Sequence, residues 1–156
     1  MNRDANMKMT GEYNLPTDRK TVWNALNHPD VLKEAIPGCT ELEESNKNEF
    51  KAIVALKIGP VSAKFNGEVK LSDIDVYKSY RISGEGKGGA VGFAKGGANV
   101  FLEDNGSGTL LKYELDAQLG GKLIQLGSRL IDSTFKSLAG KFFENFVRIV
   151  GENKKM

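Results

Sequence analysis

Apolar residues recur along this chain with two different periods, and the change from one to the other divides it. From Met7 to Leu15, the positions Met7, Met9, Gly11, Tyr13 and Leu15 alternate with Lys8, Thr10, Glu12 and Asn14, the period of a half-buried strand. Pro16 and Thr17 break the strand and open a short helix carrying Val22, Trp23 and Leu26, with Thr17 expected as its cap. His28-Pro29-Asp30 restarts a second short helix through Val31, Leu32 and Ala35, because proline suits a first turn, and Pro37-Gly38 ends it. Alternation then returns. Strands are predicted at Cys39 to Glu44, Glu49 to Ile58, Val61 to Asp73, Ser79 to Gly86, Ala98 to Glu103 and Leu110 to Leu119, separated by turn-forming clusters such as Ser45-Asn46-Lys47-Asn48. The stretch Gly120 to Val150 changes period: Leu123, Leu126, Leu130, Ile131, Phe135, Leu138, Phe142, Phe146 and Ile149 recur at threes and fours, which predicts one amphipathic helix.

The order is therefore strand, two short helices, six strands and a long helix of roughly 45 Å. An α+β arrangement follows, in which a curved antiparallel seven-stranded sheet grips the terminal helix, because each element must bury its apolar face on the other. No internal repeat or linker interrupts it, so residues 7–150 are expected to form one domain, with 1–6 a loose extension and 151–156 a polar tail. Gly127 on the inward stripe of the helix leaves space at a cost of about 0.5–1 kcal/mol relative to alanine. Thr134 would place a hydroxyl on the same side. The first half of the helix is thus expected to line a cavity and the half from Phe135 to Ile149 to complete the core. A dry cavity of about 300 Å³ would cost on the order of 7 kcal/mol, comparable to a whole domain's stability, so such a gap should be occupied.

Composition narrows the functions. The formal charge is +2, and Lys and Arg are interleaved with acids, so the basic footprint of a nucleic-acid binder is missing. One cysteine, Cys39, excludes an internal disulfide and fits a reducing compartment. Residues 1–13 lack the apolar core of a signal peptide, and no run approaches a membrane span, so a soluble, cytoplasmic protein is expected.

The chemistry-bearing residues are few. His28, the single histidine, precedes Pro29 at a helix start, where capping is the expected role. Cys39 in a Pro-Gly-Cys turn reads as a small packed residue, and Glu41, Glu43, Glu44, Asp73 and Asp75 as solvated positions. Gly84-Glu85-Gly86-Lys87-Gly88-Gly89 matches G-x-G-x-x-G in letters, yet that fingerprint needs a helix start to hold a pyrophosphate, and here the glycines join strands. They let the sheet bend or let backbone approach a ligand, with Phe93 an apolar residue beside an entrance. No catalytic, metal or cofactor site is assigned.

Several short motifs occur in order: Val22-Trp23-Asn24-Ala25-Leu26 with His28-Pro29, Ile36-Pro37-Gly38-Cys39, Gly59-Pro60-Val61 with Phe65-Asn66-Gly67, Gly84-Glu85-Gly86 with Gly92-Phe93-Ala94-Lys95-Gly96, Gly120-Gly121 with Gln125-Leu126-Gly127-Ser128-Arg129-Leu130-Ile131, and Phe142-Phe143. Over roughly Met7 to Val150 the chain resembles the carbon monoxide dehydrogenase G-subunit family of the START-like (birch-pollen-allergen-like, SRPBCC) superfamily, whose architecture is the helix-grip fold. Ala35 stands where some relatives carry another cysteine, so no cysteine pair is carried over. Longer relatives continue beyond the position of residue 156 into a tail that can reach a membrane, and that anchoring is not carried over either.

The resemblance implies a non-catalytic carrier of a lipophilic small molecule, a quinone or another isoprenoid or lipid. Its implied setting is accessory to a molybdenum-containing dehydrogenase, with peripheral contact at the inner face of the membrane. The residues expected around the ligand are Phe65, Tyr80, Ile82, Phe93, Tyr113, Leu123, Gly127, Leu130, Ile131 and Thr134. Two alternatives stand beside this. One is a cyclase or hydrolase of the superfamily acting on an aromatic or polyketide-like substrate through Tyr80, Tyr113 or an acid in the cavity. The other is an adaptor with an incidental cavity and an exposed apolar patch near Phe93.

Overall fold

A computed structural model of the chain describes residues 5–154. Seven strands form one antiparallel sheet in the order β1-β7-β6-β5-β4-β3-β2. They are β1 (Ala5–Leu15), β2 (Cys39–Asn46), β3 (Glu49–Ile58), β4 (Val61–Asp75), β5 (Ser79–Lys87), β6 (Phe93–Asn105) and β7 (Gly108–Gly120). Every strand after β1 joins its successor by a hairpin, while β1 closes the far edge by pairing with β7 from Ala5–Leu119 to Leu15–Thr109. Between β1 and β2 stand the short helices α1 (Arg19–Leu26) and α2 (Pro29–Ala35). The chain is an α+β helix-grip fold, as its periods predict.

Local chemistry sets the boundaries. Asp18, rather than Thr17, caps α1: its carboxylate accepts from the Thr21 backbone N–H at 3.1 Å and the Thr21 hydroxyl at 2.7 Å. Thr17 is instead buried one residue earlier, where its carbonyl accepts from the Thr109 hydroxyl at 2.7 Å and ties β1 to β7. His28 caps α2 through Nδ1, which accepts from the Asp30 N–H at 3.2 Å. β6 begins at Phe93, five residues before the predicted start, because the glycines that interrupt its alternation keep full ladder pairing with β5 and β7.

The largest correction concerns the terminal helix. Residues 121–126 form a short 3₁₀ turn, Gly127 adopts φ +85° and ψ 151°, and the α-helix α3 runs from Ser128 to Lys154. The backbone at Gly120 and Gly121 lies so close to Gly92 that a β-carbon on Gly92 would overlap the Gly120 carbonyl. A regular helix started at Gly120 would have to leave this contact, and the positive φ of Gly127 then resets the chain direction before α3. Gly127 is thus a junction between two helical pieces. α3 also continues into the stretch expected as a polar tail, while 155–156 lie outside the described residues. The loose extension expected over 1–6 falls partly on residues 1–4, also outside them; at Ala5 and Asn6 the strand has already begun.

Two apolar clusters lie between sheet and helices. One gathers Trp23, Leu26, Leu71, Leu111, Phe143, Phe146 and their neighbours where α1, α2 and the C-terminal part of α3 meet the sheet. The other is formed by Met7, Phe65, Leu119, Leu123 and Ile131 beside the 3₁₀ turn.

Candidate functional site

Strand pairing dictates what stands on the inner face. One cross-strand row reads Ala52, Gly67, Gly86, Ala94, and the next reads Phe50, Val69, Gly84, Gly96, Ala117. Five strands thus bring glycine or alanine to adjoining positions on the concave face. Side chains that would fill the space under α3 are absent there. On the helix side, Ala139 is a small residue facing the same gap.

The result is a cavity of about 530 Å³. Its floor is Ala52, Gly67, Gly84, Gly86 and Ala98; its roof is Phe135, Leu138, Ala139, Phe142 and Phe143; Leu32, Ile36 and Pro37 border it from the α2 side. Glu68 and Glu85 touch it, but they alternate with the inward Gly67, Val69, Gly84 and Gly86, so their carboxylates stand on the convex face. The inward polar side chains are Tyr80 and Tyr113. Tyr80 is 7% exposed, meets the Trp23 ring edge-on at 5.3 Å between centroids, and its phenol is pushed above its ordinary pKa by burial. Burial, and then the neighbouring Tyr13, raise the Tyr113 phenol as well. Both hydroxyls stay protonated near neutrality and are hydrogen-bond donors. Tyr113 lies over Gly11, its cross-strand partner, and its ring runs nearly parallel to those of Phe143 and Tyr13.

The residues expected around a ligand are divided by the fold. Phe65, Tyr80, Ile82 and Tyr113 line the cavity. Leu123 and Ile131 are buried in the cluster beside the 3₁₀ turn, and the Leu130 side chain rests on Gly59 at the β3–β4 hairpin. Gly127 is exposed, with nothing near the position of a β-carbon. Thr134 spends its hydroxyl on the carbonyl of Leu130 at 2.8 Å, within its own helix. Phe93, an odd-numbered position in a strand whose even positions Ala98 and Val100 face inward, falls on the convex side with its ring over Gly120. The helix halves are exchanged relative to expectation: the cavity meets α3 from Phe135 to Phe143, because residues 121–126 are wound separately and pack beside Met7 and Leu119. Among the described residues the large apolar side chains exposed on the surface are Ile74 and Val76, at the β4–β5 turn, and Phe101, eight residues from Phe93 along β6.

Other features carry less chemistry. Cys39 donates its thiol to the Glu41 carbonyl at 3.3 Å, and burial pushes the thiol above its usual pKa, which keeps it protonated. Gly84 and Gly86 belong to β5, and a three-residue 3₁₀ turn, Gly89–Val91, follows in place of an α-helix. A depression of about 600 Å³ on the convex side is walled by Lys51, Glu68, Glu85 and Lys87, charges of both signs that favour no apolar guest. Among the described residues no helix is long and apolar enough to cross a membrane.

Fold and cavity together define a helix-grip protein with an apolar interior space. The model of the carbon monoxide dehydrogenase G-subunit (CoxG) family matches residues 11–151, and the chain belongs to that family. It is similar over 94% of its length to 96% of a conserved protein from Geobacillus kaustophilus, with 27% identity and a TM-score of 0.89. Two more distant structures share the fold: Ara h 8.0201, at 14% identity and TM-score 0.63 over 95% of this chain and 99% of that one, and the Zhui aromatase/cyclase from Streptomyces sp. R1128, at 8% and 0.64 over 94% of each. None of the curated proteins compared matches significantly.

Proposed function

We propose that this protein is a non-catalytic carrier of an uncharged lipophilic molecule, a quinone or another isoprenoid lipid, held between sheet and helix. The observation that carries the proposal is a cavity of about 530 Å³ lined by apolar side chains and glycine backbone, with two tyrosines as its inward polar groups. That volume lies in the range of small-molecule sites, which combine apolar walls with a few placed hydrogen-bonding groups. Membership of the CoxG family and the helix-grip fold suggest the same broad role, the binding of a hydrophobic ligand.

Energetics favour occupation. Left without a guest, the apolar walls of this partly open space stay unburied, at roughly 25 cal/mol per Å² of apolar surface. Water filling it would find few partners, since a buried water needs two to four polar contacts. An apolar guest removes both penalties. The tyrosines, held protonated by burial, are hydrogen-bond donors of the kind a carbonyl-bearing guest would use. A guest of this kind partitions into membranes, so the proposal includes peripheral contact with the inner membrane face; family membership alone adds exchange with a molybdenum-containing dehydrogenase.

The test is extraction of the purified protein with organic solvent followed by mass spectrometry, with titration of a quinone and lipid panel. A stoichiometric apolar molecule, or binding of a panel member, is expected. If none co-purifies and no panel member binds, the proposal fails.

A further inference from the structure

We infer that the ligand lies head-inward, with a flat carbonyl-bearing ring against Tyr80, Tyr113 and Phe143 and its aliphatic part toward Val54, Phe65 and Phe135. This rests on the carrier reading and adds to it an orientation and two hydrogen-bond donors.

Tyr80 is 7% exposed, and its hydroxyl bonds no described residue, yet no buried side-chain oxygen or nitrogen among the described residues lacks a partner. Its oxygen therefore faces open space, and the space beside Tyr80 is the cavity. A phenol that faces this space is free to donate to a guest that brings an acceptor. Tyr113 stands in the same cross-strand row, Tyr80–Val100–Tyr113, two strands from Tyr80, with its ring and hydroxyl over Gly11 at the β1 side, so the two phenols border the cavity from opposite sides of that row. At that level the walls are flat: Phe143 is stacked with Tyr13 at 4.1 Å and 24°, and with Tyr113 at 6.1 Å and 20°. Parallel ring faces suit a planar unsaturated guest. Toward Phe65 and Val54 the inward side chains are aliphatic or phenyl, and the floor is Gly67 and Gly86, which suits a chain of no fixed shape. No lysine, arginine or histidine lines the space, so a carboxylate head finds no counter-charge.

Trp23, the single tryptophan, stands 5.3 Å from Tyr80 and reports on this end of the cavity. The probes are 2-methyl-3-prenyl-1,4-naphthoquinone, its oxygen-free counterpart 2-methyl-3-prenylnaphthalene, and palmitate. Each is titrated by calorimetry, and the quinone also by quenching of Trp23, into the wild-type chain, Tyr80→Phe and Tyr113→Phe. The quinone is expected to quench Trp23 saturably. Each variant should weaken it roughly three- to tenfold, the worth of one hydrogen bond, while leaving the hydrocarbon's affinity unchanged. Palmitate should bind more weakly than the quinone. Quinone binding that is equal in all three proteins, or that leaves Trp23 unquenched, overturns the orientation and leaves the carrier reading standing. If none of the probes binds the wild-type chain, both are overturned.

Discussion

The two apolar clusters on either side of the cavity are built to different depths. Among the described residues the α1–α2 side buries sixteen, including Trp23, Phe143 and Phe146, with rings stacked or edge-on; the side beside the 3₁₀ turn buries five. The first is also tied by Asn145, whose amide donates to the Ala35 carbonyl at 3.1 Å and joins α3 to α2. The second is closed by a short 3₁₀ turn ending at a positive-φ glycine. A thick core holds the sheet and helix at a fixed distance on one side. On the other, a thin wall with fewer buried residues is expected to open at lower free-energy cost. The proposed carrier would use both, since a site that never opens cannot exchange its guest.

Matched truncations break or sharpen that contrast. Leu111→Ala in the thick core should cost about 4 kcal/mol and Leu123→Ala in the thin wall about 2 kcal/mol, by urea denaturation. Equal costs would mean that the two clusters are equally cooperative. Next in size is the convex face, where the Arg81 guanidinium reaches both Asp116 oxygens at 3.0 and 3.3 Å and the Asn99 side chain at 3.1 Å, clamping β5, β6 and β7 behind the glycine-rich floor. Arg81→Ala should lower stability by roughly 1 kcal/mol, in keeping with its partial exposure, and the loss should shrink in high salt.

Filling the floor should have the opposite sign. A β-carbon at Gly67 would meet only the Glu85 and Ala52 carbonyl oxygens, at 3.6 and 3.8 Å, which is ordinary contact. Gly67→Val should therefore raise stability by about 0.5–1 kcal/mol while weakening any ligand of the cavity, measured by paired denaturation and binding titrations. A gain in stability with unchanged binding would place the ligand elsewhere. Smallest near neutrality is the titration of Tyr80. Its folded pKa is raised, so the neutral form is the one that folding favours: stability is unaffected below the ordinary tyrosine value of ~10 and falls as pH rises through it toward the folded value. Urea midpoints between pH 9 and 11 should fall less steeply for Tyr80→Phe than for the wild-type chain.

Much of this is legible in the sequence. Alternation located all seven strands, and it also put Phe65, Tyr80, Ile82 and Tyr113 on inward faces, since parity within one uninterrupted strand is a local property. It failed at Phe93, because the strand there starts earlier than its glycine-broken pattern indicates. It failed again over residues 120–134, where apolar spacing is the same for one helix as for a 3₁₀ turn followed by a helix. The α3 lining, Phe135 to Phe143, was visible as a stripe, with Ala139 and Gly140 as a hint of space, but a stripe does not say which part of it meets a sheet.

By itself the sequence determined the succession of elements, the faces of the regular strands and the scarcity of catalytic side chains, because all of these depend on residues near one another in the chain. Only the tertiary structure decided where the cavity is. Gly67, Gly84 and Gly86 lie on two strands and become one floor through register, and Ala52 and Ala98 join them from two more. Register is a long-range agreement among hairpins, so a missing side chain on each strand becomes a single space only when all of them are paired.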